Sequence, residues 1–509
     1  MSFHNGDSQP ELDRDARVHG DLDDKATVQY VEDERAKYEA HALATMPESL
    51  RGLTDEDLAH EQRKMVRKMD MIIMPIIAIL YILNYIDRQN LAAAKLQGIV
   101  ADLGLSTQEY ATAISILYVG YVPFQIPSNL LISHICFAVV LWGGISACTA
   151  AVKTYQQLLV VRVFLGVSEA VFFPGVVYYL SAWYTKSELG KRIAGLYIGQ
   201  QLGNAFGPLI AAGLGRLNGV HGIEGWRWLF IVEGSATVGI GALCALIMPE
   251  YPHNARILSP MQQDLAVWRL EKEAGAGEAH EQISSRRGFI LAVSDFRVWA
   301  LVWAMMMVQT MGSINNFFPT IVATLKFSST TTLLLSAPPY LLAALYFYGM
   351  TWYSDKSGKI FVPLMVCCAL AVIAYVIALA TLTVGARYFA MMLLPSGVIG
   401  PQLLLYKTVN LHIARPYPKR AAAVAMMNSI GGTAPIWASY LYVDGPHYYV
   451  AFGCLLAATV VFVITIIWYK FYVLGQNTLL SGSPDQQKEA IKRGVTQEQV
   501  QLGWRYVGY

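Results

Sequence analysis

Asp87 and Arg88, neighbours of opposite charge, close one apolar run, and Arg162 and Glu169 lie within another. A charge near the centre of a bilayer costs at least about 2.5–3.5 kcal/mol and faces a cavity or a partner. Arginine keeps its proton when buried, and its planar guanidinium can hold a carboxylate through two parallel hydrogen bonds. Tyr81, Asn84, Tyr85 and Arg88 fall at i, i+3, i+4 and i+7, one polar stripe of a helix. That stripe reads either as a face that grips an anion or as a helix end whose arginine snorkels to the interface. Asp87 is about 100° further round the helix, off that face. It reads as a protonatable group or as a helix-end partner of Arg88 or Lys95. A carboxyl group in a poorly solvated place takes up a proton unless a cation pairs with it. Arg162 and Glu169 are two turns apart on one face. Glu169 reads as a proton carrier or as the structural partner of an arginine, and Arg162 as structural.

Uncharged polar residues suggest the rest of a pocket. Tyr118, Tyr121 and Gln125 share one helix face, and Gln200 with Asn204 another. Gln309, Ser313 and Asn316 line a third, and Asn428 stands early in a fourth run. Each could hydrogen-bond a substrate in an apolar cavity, or tie helices together. Lys407 reads as snorkelling and Glu233 as pairing with an arginine. Gly199, Gly203 and Gly207, spaced by four, read as a close helix contact.

These residues need long apolar helices to position them, and the chain supplies them. Of its 509 residues 55% are hydrophobic and only 15% charged, with a mean hydropathy of +0.39. Average soluble proteins carry roughly a quarter charged residues. Apolar runs fall at 70–88, 111–132, 135–152, 158–181, 192–214, 227–248, 298–323, 332–352, 361–381, 387–410, 421–442 and 448–471. Each is long enough to cross a hydrocarbon core of about 30 Å as a helix, and a barrel would show shorter alternating segments. The expectation is an all-α membrane protein of twelve transmembrane helices in two pseudo-symmetric six-helix bundles. Residues 1–64 are expected as a disordered cytoplasmic tail, 65–249 as the first bundle, 250–296 as a cytoplasmic linker, 297–474 as the second bundle and 475–509 as a cytoplasmic tail. Lys191-Arg192 opens the fifth run and Lys419-Arg420 the eleventh, each followed about fifteen residues on by a proline (Pro208, Pro435). Repeated halves place a binding site at their interface near mid-membrane.

Arg63, Lys64, Arg67 and Lys68 precede the first run, and Lys or Arg fill the loops at 186–192, 356–359 and 415–420. The opposite loops are poorer, so both termini are expected in the cytoplasm, with the first helix as targeting signal in place of a cleaved peptide. The net charge of +2 gives no pull towards nucleic acid. All six cysteines lie in apolar runs and read as packing residues. No residue set suggests a metal, a cofactor, a catalytic nucleophile or a phosphate loop, so an enzyme is not expected.

The run Asn84-Tyr85-Ile86-Asp87-Arg88-Gln89-Asn90 resembles the end of the first helix in the anion:cation symporter family of the major facilitator superfamily. Pro127-Ser128-Asn129-Leu130-Leu131, the run from Arg162 to Gly175, Trp183-Tyr184 and the run from Gly225 to Gly234 extend the match. In the second half, Ala414-Arg415-Pro416 through Trp437-Ala438-Ser439-Tyr440 resembles the fungal allantoate-permease-like group. The resemblance spans about 65–475 and implies a major facilitator fold. It also implies proton-driven uptake of a small organic anion (carboxylate, ureide or vitamin), by a monomer in the plasma membrane. In its terms Arg88 matches the anion-binding arginine, and Asp87 and Glu169 the protonatable pair. Tyr85, Tyr118, Gln200, Asn316 and Asn428 are the expected substrate contacts, and Arg162, Asp355 and Lys356 the structural or gating residues. Two other readings stand beside uptake: export of a metabolite or toxin, and a non-transporting nutrient receptor.

One departure from the family pattern is plain. The glycine, acidic and basic latch loop expected after the second helix is replaced by the direct run Leu130-Leu131-Ile132-Ser133-His134-Ile135-Cys136, with no turn former. Its second-half counterpart, Ser354 to Lys359, is present. The short connection reads as one from which several residues are missing.

Overall fold

A computed structural model describes residues 46–125, 135–249, 251–278, 284–413, 415–495, 499–500 and 504–508. The Pro127–Leu131 motif and the connection at Ser133-His134 lie outside these residues, as does most of the expected N-terminal tail. No strand occurs among the described residues.

Twelve helical stretches coincide with the twelve apolar runs. The first six are α1 (Asp55–Leu96), α2 (Thr107–Phe124), α3 (Ile135–Ala151), α4 (Tyr155–Ser181), α5 (Lys186–Leu214) and α6 (Gly225–Ile247). The last six are α7 (Phe296–Leu325), α8 (Ser329–Ser357), α9 (Phe361–Ala380), α10 (Val384–His412), α11 (Tyr417–Gly431) and α12 (Tyr449–Leu480). Seven are each long and apolar enough to cross a membrane, and α7 together with the preceding helix Ser285–Val293 makes an eighth. The other four, α2, α3, α5 and α11, carry polar and small residues, or are short or broken. Large apolar side chains such as Phe137, Phe164, Leu246, Leu345, Ile464 and Phe471 stand exposed on the outer faces. Such a surface is at ease in lipid and not in water.

Helix starts follow local chemistry. Thr54 and Asp57 form a capping box that opens α1, well before the apolar run, and Ser106 with Glu109 opens α2 in the same way. In the first six spans, α2 packs on α4, α3 on α6, and α1 on α5 and α6. In the last six, α9 packs on α10 and α12, and α7 on α11 and α12. The two groups meet where α5 lies along α8 and where α2 meets the short helix Ala434–Ala438 after α11.

The α2–α4 crossing is set by two glycines. A Cβ at Gly166 would lie 2.1 Å from the Leu117 carbonyl oxygen, and one at Gly120 would lie 2.4 Å from that of Val163. Only glycine lets the backbones approach so closely, and the crossing brings the middle of α4, around Gly166, beside Leu117 and Tyr121. In the Gly199–Gly203–Gly207 row, Gly203 alone is in tight contact, with the Ile82 carbonyl and Tyr85 Cβ at 2.8 Å.

Described segments outside the spans pack against them. A helix at Pro260–Glu278 places Arg269 on Glu188 at 2.9 Å and on the Trp183 carbonyl at 2.6 Å. Helix Ser285–Val293 instead packs on α11. Beyond α12, which runs to Leu480, the backbone of Tyr506 exchanges two hydrogen bonds with the Asn477 side chain at 2.8 and 2.9 Å. The repeat has a structural counterpart. Asp70 on α1 takes two hydrogen bonds from Arg192 at the start of α5, both 2.7 Å, and Asp295 before α7 holds Lys419 at the start of α11 at 2.6 Å.

Candidate functional site

Three helices lose regular geometry within their spans. α4 breaks directly after Glu169 and resumes at Phe172. α7 passes into a 3₁₀ turn over Ser313–Phe317, which carries Asn315 and Asn316. α11 ends at Gly431, three residues past Asn428, and helix resumes at Ala434. Broken helices inside a membrane are tolerated where they are buried in protein or border a cavity.

Arg88 projects from α1 to the first of these breaks. Its Nε donates to Glu169 Oε2 at 2.8 Å, and Glu169 is fully buried. The guanidinium lies 4.8 Å from the Tyr121 ring and 5.5 Å from that of Tyr85. Glu169 is its single hydrogen-bond partner among the described residues, and uses one oxygen only; Glu169 Oε1 is buried without a partner. Arg162 does not meet Glu169 directly. Its Nε donates to the Ala113 carbonyl at 3.1 Å, and its buried Nη1 has no partner. Arg88 and Arg162 line one small cavity with Leu117, Tyr118 and Asn316. The free space inside it is about 10 Å³, about what one water needs, so its walls must part for a substrate to enter. Two guanidinium groups with donors unused among the described residues face that space.

The far wall comes from α7. Tyr118 and Asn316 exchange hydrogen bonds at 3.0 and 3.3 Å, bridging the first and last six spans. Nearby, Gln89 donates to Asn204 at 3.2 Å and to the Asn315 carbonyl at 3.3 Å, and Tyr340 donates to Asn315 Oδ1 at 3.2 Å. At the end away from α1's N-terminus the groups are joined by Thr112 with Tyr440 at 2.9 Å and by Ser115 on the Ile436 carbonyl at 2.7 Å. At the other end Tyr197, Phe347 and Ile399 form an apolar cluster with Ile193, Leu403 and Tyr406.

The structure brings Arg88, Glu169, Tyr85, Tyr118, Asn316 and Arg162 together. It does not bring Gln200 or Asn428 to the cavity wall: Gln200 is buried with its Oε1 unpartnered, and Asn428 accepts from Tyr406. Asp87 pairs neither with Arg88 nor with Lys95, which lies 4.4 Å over the Tyr110 ring. Asp87 is instead 1% exposed among Trp142, Ser146 and Asn90. Glu233 has no arginine partner, because Arg227 is taken by Asp102 and Glu224. Asp355 binds Lys407 at 2.7 Å within the last six spans, and Lys356 lies 5.0 Å over Trp352. Lys407 is thus an ion-pair partner at the rim. Sequence reasoning missed Trp142, Ser146, Thr237 and Asn315. The i, i+4 spacing of Trp142 and Ser146 in an otherwise apolar run was the available signal.

A helical bundle with lipid-compatible outer faces, and with broken helices around a small polar cavity between two groups of spans, is the architecture of a membrane transporter. The comparison with known proteins gives the family. Residues 77–439 match the Major Facilitator Superfamily, and the chain belongs to it. An uncharacterized transporter (C1683.12) of Schizosaccharomyces pombe is 31% identical over 452 residues, covering 84% of this chain and 91% of that relative. The MFS-type transporter cnsO of Penicillium expansum is 28% identical over 465 residues, 86% and 88% of the two chains. A bacterial homolog of the human lysosomal transporter Spinster, solved inward-facing and unoccupied, superposes with a TM-score of 0.62 at 14% identity, covering 83% of this chain and 98% of its own. The protein is therefore a multi-pass membrane transporter with a major facilitator fold, and not an enzyme.

Proposed function

We propose that this transporter takes up a small organic anion together with protons, by alternating access between residues 65–249 and 297–474. The observation that carries the reading is the Arg88–Glu169 contact at the edge of a cavity that holds a second arginine. Glu169 occupies one edge of the Arg88 guanidinium. A proton on Glu169 removes the negative charge that holds the arginine and leaves Arg88 free to receive a substrate carboxylate. Loss of the substrate on the far side lets Glu169 give up its proton and close on Arg88 again. Tyr85, Tyr118 and Asn316 orient the bound anion, and Arg162 adds positive potential from the opposite wall. Asp355 and Lys356 belong to the gate of the last six spans. Both termini face the cytoplasm of a plasma-membrane monomer.

The test is uptake of a panel of labelled organic acids, at acidic and neutral external pH, by cells expressing the wild type or Arg88→Ala at equal surface level. Accumulation of one acid, stimulated by low pH and lost in the variant, is the expected result. Uptake that ignores external pH, or that survives in Arg88→Ala, overturns it.

A further inference from the structure

On α1, next to Arg88 but not on the cavity wall, Asp87 is held in a cage of four donors. Its Oδ1 accepts from Asn90 Nδ2 at 3.3 Å and from Ser146 Oγ at 3.0 Å; its Oδ2 accepts from Trp142 Nε1 at 2.9 Å and faces Thr237 Oγ1 at 3.5 Å. Each carboxylate oxygen therefore meets one N–H, which can only donate, and one hydroxyl, which can turn to donate or accept. An ionised Asp87 uses all four donors. A protonated Asp87 hands its new O–H to the Ser146 or Thr237 oxygen with no heavy atom displaced. The cage accepts both forms.

One turn before Thr237 on α6 stands Glu233, 5% exposed, with neither carboxyl oxygen hydrogen-bonded. Asp87 and Asn90 are the polar groups that face it. Close packing fixes this arrangement: a Cβ on Gly234 would lie 2.5 Å from the Ala147 nitrogen and 2.7 Å from the Gly143 carbonyl, so α6 is pressed onto α3 beside the two acids. The titratable groups around Asp87 are Glu233 from α6 and Glu169 from α4, and Glu169 is already engaged by Arg88. The α3 segment Ile135–Ala151 contains no Asp, Glu, Lys, Arg or His, and Arg227 of α6 is bound elsewhere. A buried carboxyl group with no cation beside it is costly to ionise.

The geometry points to Asp87 and Glu233 as a proton-holding carboxyl pair, shared by α1, α3 and α6 and set off the wall of the anion cavity. One proton resides on the pair when Asp87 is ionised, and a second loads when Asp87 is neutralised. No bond other than O–H is made or broken. Glu233 is a positioning residue for the proton on Asp87: its presence keeps the two from ionising together. The inference rests on reading Asp87 as a proton carrier, and it extends that role to a residue outside the anion site.

The test needs no substrate, so it stands apart from the uptake experiment. The full-length protein is reconstituted in phosphatidylcholine liposomes, and infrared difference spectra are recorded across pH in H₂O and D₂O. The wild type should show a carboxylic-acid C=O band at neutral pH that is absent in Glu233→Gln and retained in Glu233→Asp. A second band, lost in Asp87→Asn, should grow on acidification. In Asp87→Asn the Glu233 band should be lost, on raising the pH, at a pH lower by about one unit or more than in the wild type, the coupling expected of a shared pair. An unchanged amide band guards against misfolding, and the Glu233→Asp spectrum keeps the test decisive if the Gln variant fails to fold. A neutral-pH acid band that survives in Glu233→Gln or is missing in Glu233→Asp, or a Glu233 band that is lost at the same pH in Asp87→Asn as in the wild type, overturns the inference.

Discussion

The first six spans and the last six are built to one plan and carry different chemistry. Asp87, Arg88, Arg162, Glu169 and Glu233 all lie within the first group, four of them only 1–5% exposed. The cavity wall offered by the last group holds Asn316, with Asn315, Tyr340 and Tyr442 behind it and no charge. The ions of the last group sit at its ends, as Arg387 on the Pro446 carbonyl at 2.7 Å and Lys407 on Asp355. Ionic groups can bind and release protons and anions; amides and phenols can only shape and orient. On the proposed mechanism, energy coupling belongs to the first group of helices, and the last group helps shape the substrate's fit.

Arg88→Ala should strike hardest. Removing one partner of a buried, hydrogen-bonded charge pair costs about 2–5 kcal/mol, which corresponds to a rise in the half-saturating concentration of roughly 30-fold or more. Glu169→Gln should leave measurable transport but flatten its dependence on external pH, read from uptake at fixed substrate. If Asn316→Ala flattens the pH profile as well, the division between the two groups fails. Packing gives the next effect. Gly166→Ala should destabilise the purified protein by about 1–3 kcal/mol, seen as a lowered melting temperature, because its Cβ would meet backbone. Asn316→Ala removes a neutral hydrogen bond to Tyr118 and should weaken half-saturation several-fold, about 0.5–1.5 kcal/mol, with the pH profile kept. Lys407→Ala sits last. It breaks a rim pair whose side chains are 30% and 60% exposed, so uptake and stability should change by about 1 kcal/mol or less.

The sequence made the architecture legible because span length and charge placement are one-dimensional signals. Twelve runs were visible, and even the weakly apolar α5, rich in Gly and Gln, could be placed by the Lys191-Arg192 that opens it. The polar stripe Tyr85–Arg88 was legible for the same reason: it lies along one helix. What could not be read was which helix each stripe would face. Arg162 and Glu169 share a face, yet Glu169 is reached by Arg88 from a residue 81 positions away, and Arg162 turns to a backbone carbonyl on α2. Asn428 and Gln200 had the right chemistry and the wrong azimuth. Asp87 drew attention through its charge, but its cage is built from Trp142, Ser146 and Thr237, which in sequence look like ordinary contents of apolar runs. The breaks in α4 and α7 were invisible too. Proline at positions 174 and 319 marks them only after the fact, since proline elsewhere, as at 75 and 208, is carried within continuous helix.

The helix at Pro260–Glu278 changes what the connection between the two groups can do mechanically. Arg269 clamps it to Glu188 and the Trp183 carbonyl, Gln262 reaches Glu61 at 3.4 Å, and Asp264 takes a hydrogen bond from Ser49 at 2.6 Å. All of these belong to the α1–α5 side, whereas Ser285–Val293 is wedged onto α11, where a Cβ on Gly288 would lie 2.4 Å from Pro418. The tether is therefore a splint glued to one body and a bracket glued to the other. Tilting of one body against the other carries the splint with the first and the bracket with the second. Lengthening the tether inside the splint should therefore leave the stroke unchanged.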